Sequence, residues 1–226
     1  MRNDNITDEF IRALRDYAYL LNQQYPRKAI LKIVGDRYLL NSFQRIMLSR
    51  GICPKNDIEN RIRKTGKIIS GKDLYIDAYN VLFTLSNYLL GRLVFIGNDH
   101  FVRDAGEAYG KPNEDPVFTR AIELCIGYLL KSKPSTVVFL VDKPISYSAI
   151  LAGQLRELIA DAGLQGDARI DKNPDAALIR QSHGIVVSSD SDILDNTELP
   201  LLDLAHLILE DNFKLDLPDL GKLLSE

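Results

Sequence analysis

The chain has 226 residues, 46% of them hydrophobic and 26% charged, with a formal net charge of −3, two cysteines and no tryptophan. That length suits one well-buried core plus a smaller appendage, and no uncharged apolar run approaches the roughly 18–20 residues of a spanning helix. The first twenty residues hold Asp4, Asp8, Glu9, Arg12, Arg15 and Asp16 where a secretory leader needs an apolar stretch, and Cys53 and Cys125 stand too far apart for a metal-ligand pair, so a soluble cytoplasmic protein without a membrane partner is expected.

The amino-terminal stretch reads as helical. Phe10, Leu14, Tyr17 and Leu21 recur at spacings of 4, 3 and 4, one stripe of a helix. After Pro26, the residues Ala29, Ile30, Ile33 and Val34 form a second short apolar face that stops at Gly35. Asn41 caps a third helix, with Gln44 in the capping-box position and Gly51 as its stop. Residues 52–72 hold more turn residues than core formers and read as a basic connector. The predicted organisation is a basic helical domain over 1–60, a linker over 61–72 and an α/β domain over 73–226. Residues 1–72 carry 15 Lys and Arg against 7 Asp and Glu, a balance of +8, while the remainder carries 13 against 24, a balance of −11. Such a split points to a module for a polyanion joined to one that concentrates cations. Solvated surface charge clustered by chance is the alternative. Arg37, Arg45 and Arg50, on or beside the third helix, are the candidate contacts to a nucleic-acid backbone, and docking against the acidic domain is their other reading.

From Lys72 onward the pattern changes. LYID (74–77), TVVFLVD (136–142), ARID (168–171), GIVVSSD (184–190) and LPLLDL (199–204) are short runs rich in β-branched residues. Helical segments separate several of them. One starts at Asp115-Pro116, one carries Ile150, Leu151, Leu155, Leu158 and Ile159 and stops at Gly163, and one starts at Asn173-Pro174. Strands apolar on both faces, alternating with helices, predict an α/β fold with a parallel sheet covered by helices.

Asp77, Asp142 and Asp190 end three of these runs, and Asp192 follows at once in SSDSD; Asp171 and Asp203 end strand-like runs too, so position alone is not decisive. Asp175 lies on the first turn of a helix that follows a strand. Ligand sites of open parallel sheets lie beyond the carboxyl ends of the strands, so these carboxylates are expected to converge there. Crowded carboxylates repel unless cations neutralise them. Oxygen-only ligands favour a hard ion, Mg2+ or Mn2+. Asp142 also suits an ordinary turn, and Asp175 also suits the positive end of a helix dipole. Asp77 stands within the apolar run LYIDAYNVLF, where an unpaired carboxylate is costly. Asp99 and Asp104, in GNDHFVRDAG, either complete the site or populate a loop, the loop being favoured. No GxGxxG or GxSxG occurs, which removes the phosphate turn of a dinucleotide fold and the elbow of a serine hydrolase.

IDAYNVL at 76–82, FLVD ending at Asp142, PDAAL at 174–178 and SSDSD at 188–192 resemble, in that order, the PIN-like nucleases, with the NYN branch closest. The resemblance covers residues 73–205. A basic helical domain before such a domain also resembles an uncharacterised conserved family of PIN-like proteins. The resemblance implies a metal-dependent nuclease that prefers RNA and uses Mg2+ or Mn2+. Asp77, Asp175, Asp190 and Asp192 would be its catalytic ligands, with Asp142 added as in some branches. Asn80 would orient Asp77 or the scissile phosphate, and Ser188 and Ser189 would be donors to phosphate or ligand. Ala78 departs from the pattern, where glycine is more usual. The competing expectation is a non-catalytic PIN-like scaffold that binds RNA or protein, and a homo-oligomer is left open.

Overall fold

The computed structural model describes residues 4–106, 115–143 and 147–225. The elements follow one another as α1 (Asp8–Asn22), α2 (Arg27–Arg37), α3 (Ser42–Gly51), α4 (Lys55–Lys64), β1 (Asp73–Asp77), α5 (Ala78–Leu89), β2 (Val94–Ile96) and β3 (Val102–Asp104). Then come α6 (Pro116–Ser132), β4 (Thr136–Asp142), α7 (Ser148–Asp161), β5 (Gly166–Asp171) and α8 (Pro174–Ile179). The chain closes with β6 (Ile185–Val187), α9 (Ser191–Asn196), β7 (Leu201–Leu202), α10 (Leu204–Asn212) and α11 (Leu220–Ser225). They sort into two compact units. Unit 1 is Met1–Arg63, Gly91–Glu107 and Leu215–Glu226, and unit 2 is Lys64–Leu90 and Ala108–Lys214.

Unit 2 is the predicted α/β fold. Its sheet has the strand order β5-β4-β1-β6-β7, and every pairing is parallel. Leu74, Ile76, Val137, Phe139, Val141, Ala168, Val186, Val187 and Leu201 are fully buried. With so many strand residues lacking a solvent face, helices must cover both sides of the sheet. The caps expected from sequence form: Asp115 accepts from Val117 N at 2.8 Å with Pro116 in the first turn of α6, and Asn173 accepts from Ala176 N at 3.0 Å with Pro174 in the first turn of α8. From β1 the chain steps outward to β4 and then β5, and returns to the other side of β1 to lay down β6 and β7. Between β1 and β6 the direction of winding reverses, which opens a crevice at the carboxyl ends of those two strands, the general position of ligand sites in such sheets.

Unit 1 is helical, with a two-stranded antiparallel hairpin of β2 and β3. The α1 stripe of Phe10, Leu14, Tyr17 and Leu21 is buried as its spacing predicts, and α3 carries the full capping box between Asn41 and Gln44. These helices share a core with Leu93 and Phe95 from the hairpin segment and Leu220 from α11. Two expectations need correction. Residues 52–72 are no simple connector, because 55–64 form α4 and Ile52, Cys53 and Arg61 are buried. The α/β domain does not run unbroken over 73–226, because residues 91–107 and 215–226 belong to unit 1.

Arg61 anchors that arrangement. It is wholly buried, and its Nη1 lies 2.6 Å from Asp99 Oδ2, while Arg103 grips both oxygens of the same carboxylate at 2.7 Å. Burial alone would raise the Asp99 carboxyl, but Arg103 and then Arg61 outweigh it and hold Asp99 at about 2. The triad links α4 to residues 38 and 42 positions further along the chain, all within unit 1. Asp99 therefore completes no carboxylate site, and Asp104 is not the loop residue that was favoured: it is the last residue of β3 in unit 1, where its Oδ1 accepts from Gly106 N at 3.0 Å.

Candidate functional site

Helix α5 follows β1 without a gap, because Asp77 is at once the last residue of the strand and the cap of the helix. Its Oδ1 accepts from Asn80 N at 3.3 Å. On the neighbouring strand, Val187 is followed by the buried pair Ser188 and Ser189 and then by Asp190, which caps α9 by accepting from Asp192 N at 2.8 Å. Two polar links cross the crevice. Ser188 donates its hydroxyl to Asp77 Oδ2 at 3.0 Å, and Ser189 donates both its amide, at 2.9 Å, and its hydroxyl, at 3.0 Å, to Asn80 Oδ1. Asn80 thus orients Asp77 through its backbone and locks β6 to α5 through its side chain. In the same loop the Asp190 amide donates to Ser188 Oγ at 3.1 Å.

The other carboxylates come from the same end of the sheet. Asp142 ends β4, and Asp175 stands exposed in the first turn of α8. Three of these carboxyls lie above the usual carboxylate range. Burial pushes the Asp77 carboxyl up to about 7; the Asn80 and Ser188 hydrogen bonds oppose that rise, and the charges of Asp175 and Asp190 add to it. Asp175 is raised by burial and then by Asp190, Asp142 and Asp192. Asp142 is raised by burial. Among the described residues, none of these five aspartates forms an ion pair with an arginine or lysine. A floor carboxylate that resists ionisation beneath a rim of exposed acids suits a cation, and the donors are all oxygen. Among the described residues, however, no three His, Cys, Asp or Glu side chains already stand as a set that could hold a metal ion.

Tyr79 is not among the site residues expected from the sequence. Its hydroxyl lies 3.4 Å from Ser148 Oγ, and Ser148, the first residue of α7, bonds in turn to the main-chain oxygen of Asp142. The ring stacks on Phe83 with centroids 5.2 Å apart. This link fixes the end of β4 beside α5, and no local pattern in the sequence announces it.

Two of the three amino-terminal arginines are held within unit 1 itself. Arg45 pairs with Asp36 at 3.0 Å and donates Nε to Leu40 O at 3.0 Å, fastening α3 to the end of α2. Gly35 makes room for it, since a Cβ there would fall 2.0 Å from Arg45 Nη1. Arg50 donates to Asp104 O at 3.2 Å. Arg37 is exposed and lies over the Tyr38 ring, 5.5 Å from its centroid. The charge asymmetry also shrinks once the true units are counted. Unit 1 holds 15 Lys and Arg against 13 Asp and Glu, a net of +2, and unit 2 holds 13 against 18, a net of −5. The strongly basic module was a product of cutting the chain at residue 72. No described helix is long and apolar enough to cross a membrane.

Comparison with known proteins gives two family matches. Residues 67–207 match the family described as "Domain of unknown function (DUF5616)", and residues 9–64 match "Protein of unknown function (DUF434)". The chain is 30% identical over 185 residues to "Uncharacterized protein MJ0935" of Methanocaldococcus jannaschii, a match that covers 81% of this chain and 88% of the relative. No solved structure matches. The first family match takes in every residue of the crevice from Asp77 to Asp192, and the chain belongs to the DUF5616 family.

Proposed function

We propose that unit 2 is a divalent-metal-dependent nuclease, with RNA as the preferred substrate as the PIN-like resemblance implies. The observation that carries this reading is that Asp77, Asp142, Asp175, Asp190 and Asp192 lie at the carboxyl-end side of the sheet, with Asp175 and Asp190 acting electrostatically on Asp77, and Asp190, Asp142 and Asp192 on Asp175. Mg2+ or Mn2+ held by Asp77, Asp175 and Asp190, with Asp142 and Asp192 at the rim, would neutralise phosphate oxygens and acidify a water for phosphodiester hydrolysis. The chain's own part is to prepare the ligands. Ser188 and Asn80 engage one oxygen of Asp77 each, which fixes its plane, and Ser189 holds Asn80 in turn. Asp190 is held by its bond from Asp192 N, leaving its other oxygen for a ligand.

A non-catalytic scaffold is the second reading, favoured by the lack, among the described residues, of a ready set of three ligands. Ion-free carboxylates gain by spreading apart, so such a set forms only when a cation draws them together. The deciding experiment is a Mg2+ and Mn2+ titration of cleavage on single-stranded, structured and duplex RNA and DNA, with Asp190→Asn as the control. Metal-dependent cleavage that the substitution abolishes supports the nuclease. An intact chain that binds RNA but never cleaves any of these substrates with either metal supports the scaffold.

A further inference from the structure

Unit 1 has a site-like feature of its own. An open cavity of about 530 Å3 lies between the end of α1 and the start of α4, a size within the ~300–1,000 Å3 of small-ligand sites. Its wall carries Tyr25, 57% exposed, together with Arg27, Lys55 and Asn56. The frame is fixed. Asn22 Oδ1 accepts from Lys55 N at 2.9 Å, and Arg27 donates to Ile52 O at 3.3 Å. The functional ends are available: the Lys55 ammonium, the Asn56 amide and the Tyr25 hydroxyl have no hydrogen bond or ion pair among the described residues. Asp57 lies 3.9 Å from Arg27 and offsets its charge, which leaves Lys55 as the site's anion partner. In the core of unit 1, the wholly buried Tyr17 has a hydroxyl without a hydrogen-bond partner among the described residues; burial raises it and Arg27 opposes the rise.

An exposed aromatic face, a cation and an unused amide around a one-nucleotide volume match the groups a nucleotide presents. The base has a π-face that stacks on any aromatic ring, its edge pairs with an amide that both donates and accepts, and its phosphate needs a cation. We propose that this cavity grips one nucleotide of a single-stranded RNA, with the base on Tyr25 and the phosphate on Lys55. Only the choice of RNA rests on the nuclease reading of unit 2. The cavity's chemistry stands apart from it, and the grip replaces Arg45 and Arg50, which are occupied within unit 1.

The test is fluorescence anisotropy of a short labelled single-stranded RNA with the full chain in EDTA, where affinity is read without cleavage. Stacking on an aromatic side chain contributes enough that Tyr25→Ala should weaken binding about tenfold or more, while Tyr25→Phe keeps most of it. Lys55→Ala should flatten the slope of log affinity against log salt by about 0.7, the release expected for one phosphate on a single strand. Arg63→Ala, on α4 and outside the cavity lining, should change neither. Wild-type affinity and salt slope in both Tyr25→Ala and Lys55→Ala overturn the proposal. If adenosine monophosphate binds as tightly as the oligonucleotide and with the same dependence on Tyr25, the RNA assignment is overturned in favour of a free nucleotide. A chain that grips RNA through Tyr25 in EDTA yet cleaves nothing with metal fails the nuclease reading alone.

Discussion

Ser188 donates its hydroxyl to Asp77 across 3.0 Å, so the carboxylate at the end of β1 is steered by a residue just beyond the end of β6, 111 positions later in the chain. The same Oγ accepts the Asp190 amide at 3.1 Å. One buried hydroxyl therefore aligns two of the aspartates that the crevice brings together. A serine suits this position because it donates and accepts at once, and an alanine would free the Asp77 carboxylate and the Asp190 amide without emptying much volume.

Asp77 sets the stability of the ion-free protein against pH. In the unfolded chain its carboxyl titrates near 3.8, whereas in the fold it is pushed up to about 7 by burial, with Asp175 and Asp190 adding to the rise. Between these values the folded chain holds a proton that the unfolded chain has lost. Stability from this group is therefore fully present below about pH 4, falls as pH rises, and levels off above about 7. Asp77→Asn should remove the slope and, at pH 8 in EDTA, stabilise the protein by on the order of 2–4 kcal/mol. Urea denaturation from pH 4.5 to 8.5 measures it. A variant as unstable as the wild type at pH 8 would show that the Asp77 carboxyl is not under strain.

Much of this architecture was legible because its signals are local. Asn41 with Gln44, Asp115 with Pro116 and Asn173 with Pro174 declare their helix starts within four residues, and the caps form as expected. LYID could be read because its buried Leu74 and Ile76 flank the ring of Tyr75, and the runs ending at Asp142 and Asp190 because a strand buried on both faces is apolar throughout. Helix α5 was missed for the same reason. Val81, Leu82, Thr84, Leu85, Ser86, Asn87 and Tyr88 are all buried, so no polar face gives away its 3.6-residue period. Strands β2 and β3 have three residues each, too few for any alternation to register. Arg61 lies in RIRK, inside the stretch read as a basic connector. Its burial depends on Asp99 and Arg103, and nothing within a few residues encodes that pairing. The division of the chain was misplaced by the same blindness to distant partners, and the charge argument for a basic module went with it.

Asp99→Asn tests the buried triad. The substitution leaves two guanidinium groups, each at most 4% exposed, without their shared carboxylate. Breaking a buried ion pair by removing one partner costs ~3–5 kcal/mol, and here two pairs share the residue that is lost. Since the Asp99 carboxyl is held at about 2, its contribution is fully present above about pH 4 and is lost only as pH falls toward 2. The destabilisation should therefore be constant between pH 5 and 8, unlike the sloping profile expected from Asp77. Equilibrium denaturation at both ends of that range checks it, and a loss below about 1 kcal/mol would mean that water or other groups already serve the two arginines.

Removing residues 1–72 should wreck unit 1 without freeing unit 2. The deletion takes Phe10, Leu14, Tyr17, Leu21, Ile30, Val34, Met47 and Leu48 away from a core that also contains Leu93, Phe95, Ala105 and Leu220, which stay behind on the remaining chain. It also takes Arg61, leaving Asp99 to Arg103 alone. The stranded hairpin and α11 would then present apolar surface that belongs in an interior, and contiguous patches of that kind drive association. A second deletion follows the structure instead: it begins at Lys64, replaces residues 91–107 with a short glycine-serine linker and ends at Lys214. It retains β1, β4, β5, β6 and β7 and every carboxylate of the crevice, together with the Thr65–Leu201 bridge that tethers its first residues to β7. Size-exclusion chromatography and circular dichroism distinguish the two. The simple truncation should aggregate, and the structure-guided one should elute as a folded α/β domain with a cooperative thermal transition. If the simple truncation is equally soluble and cooperative, residues 91–107 and 215–226 fold without the helices, and the chain does not divide into these two units.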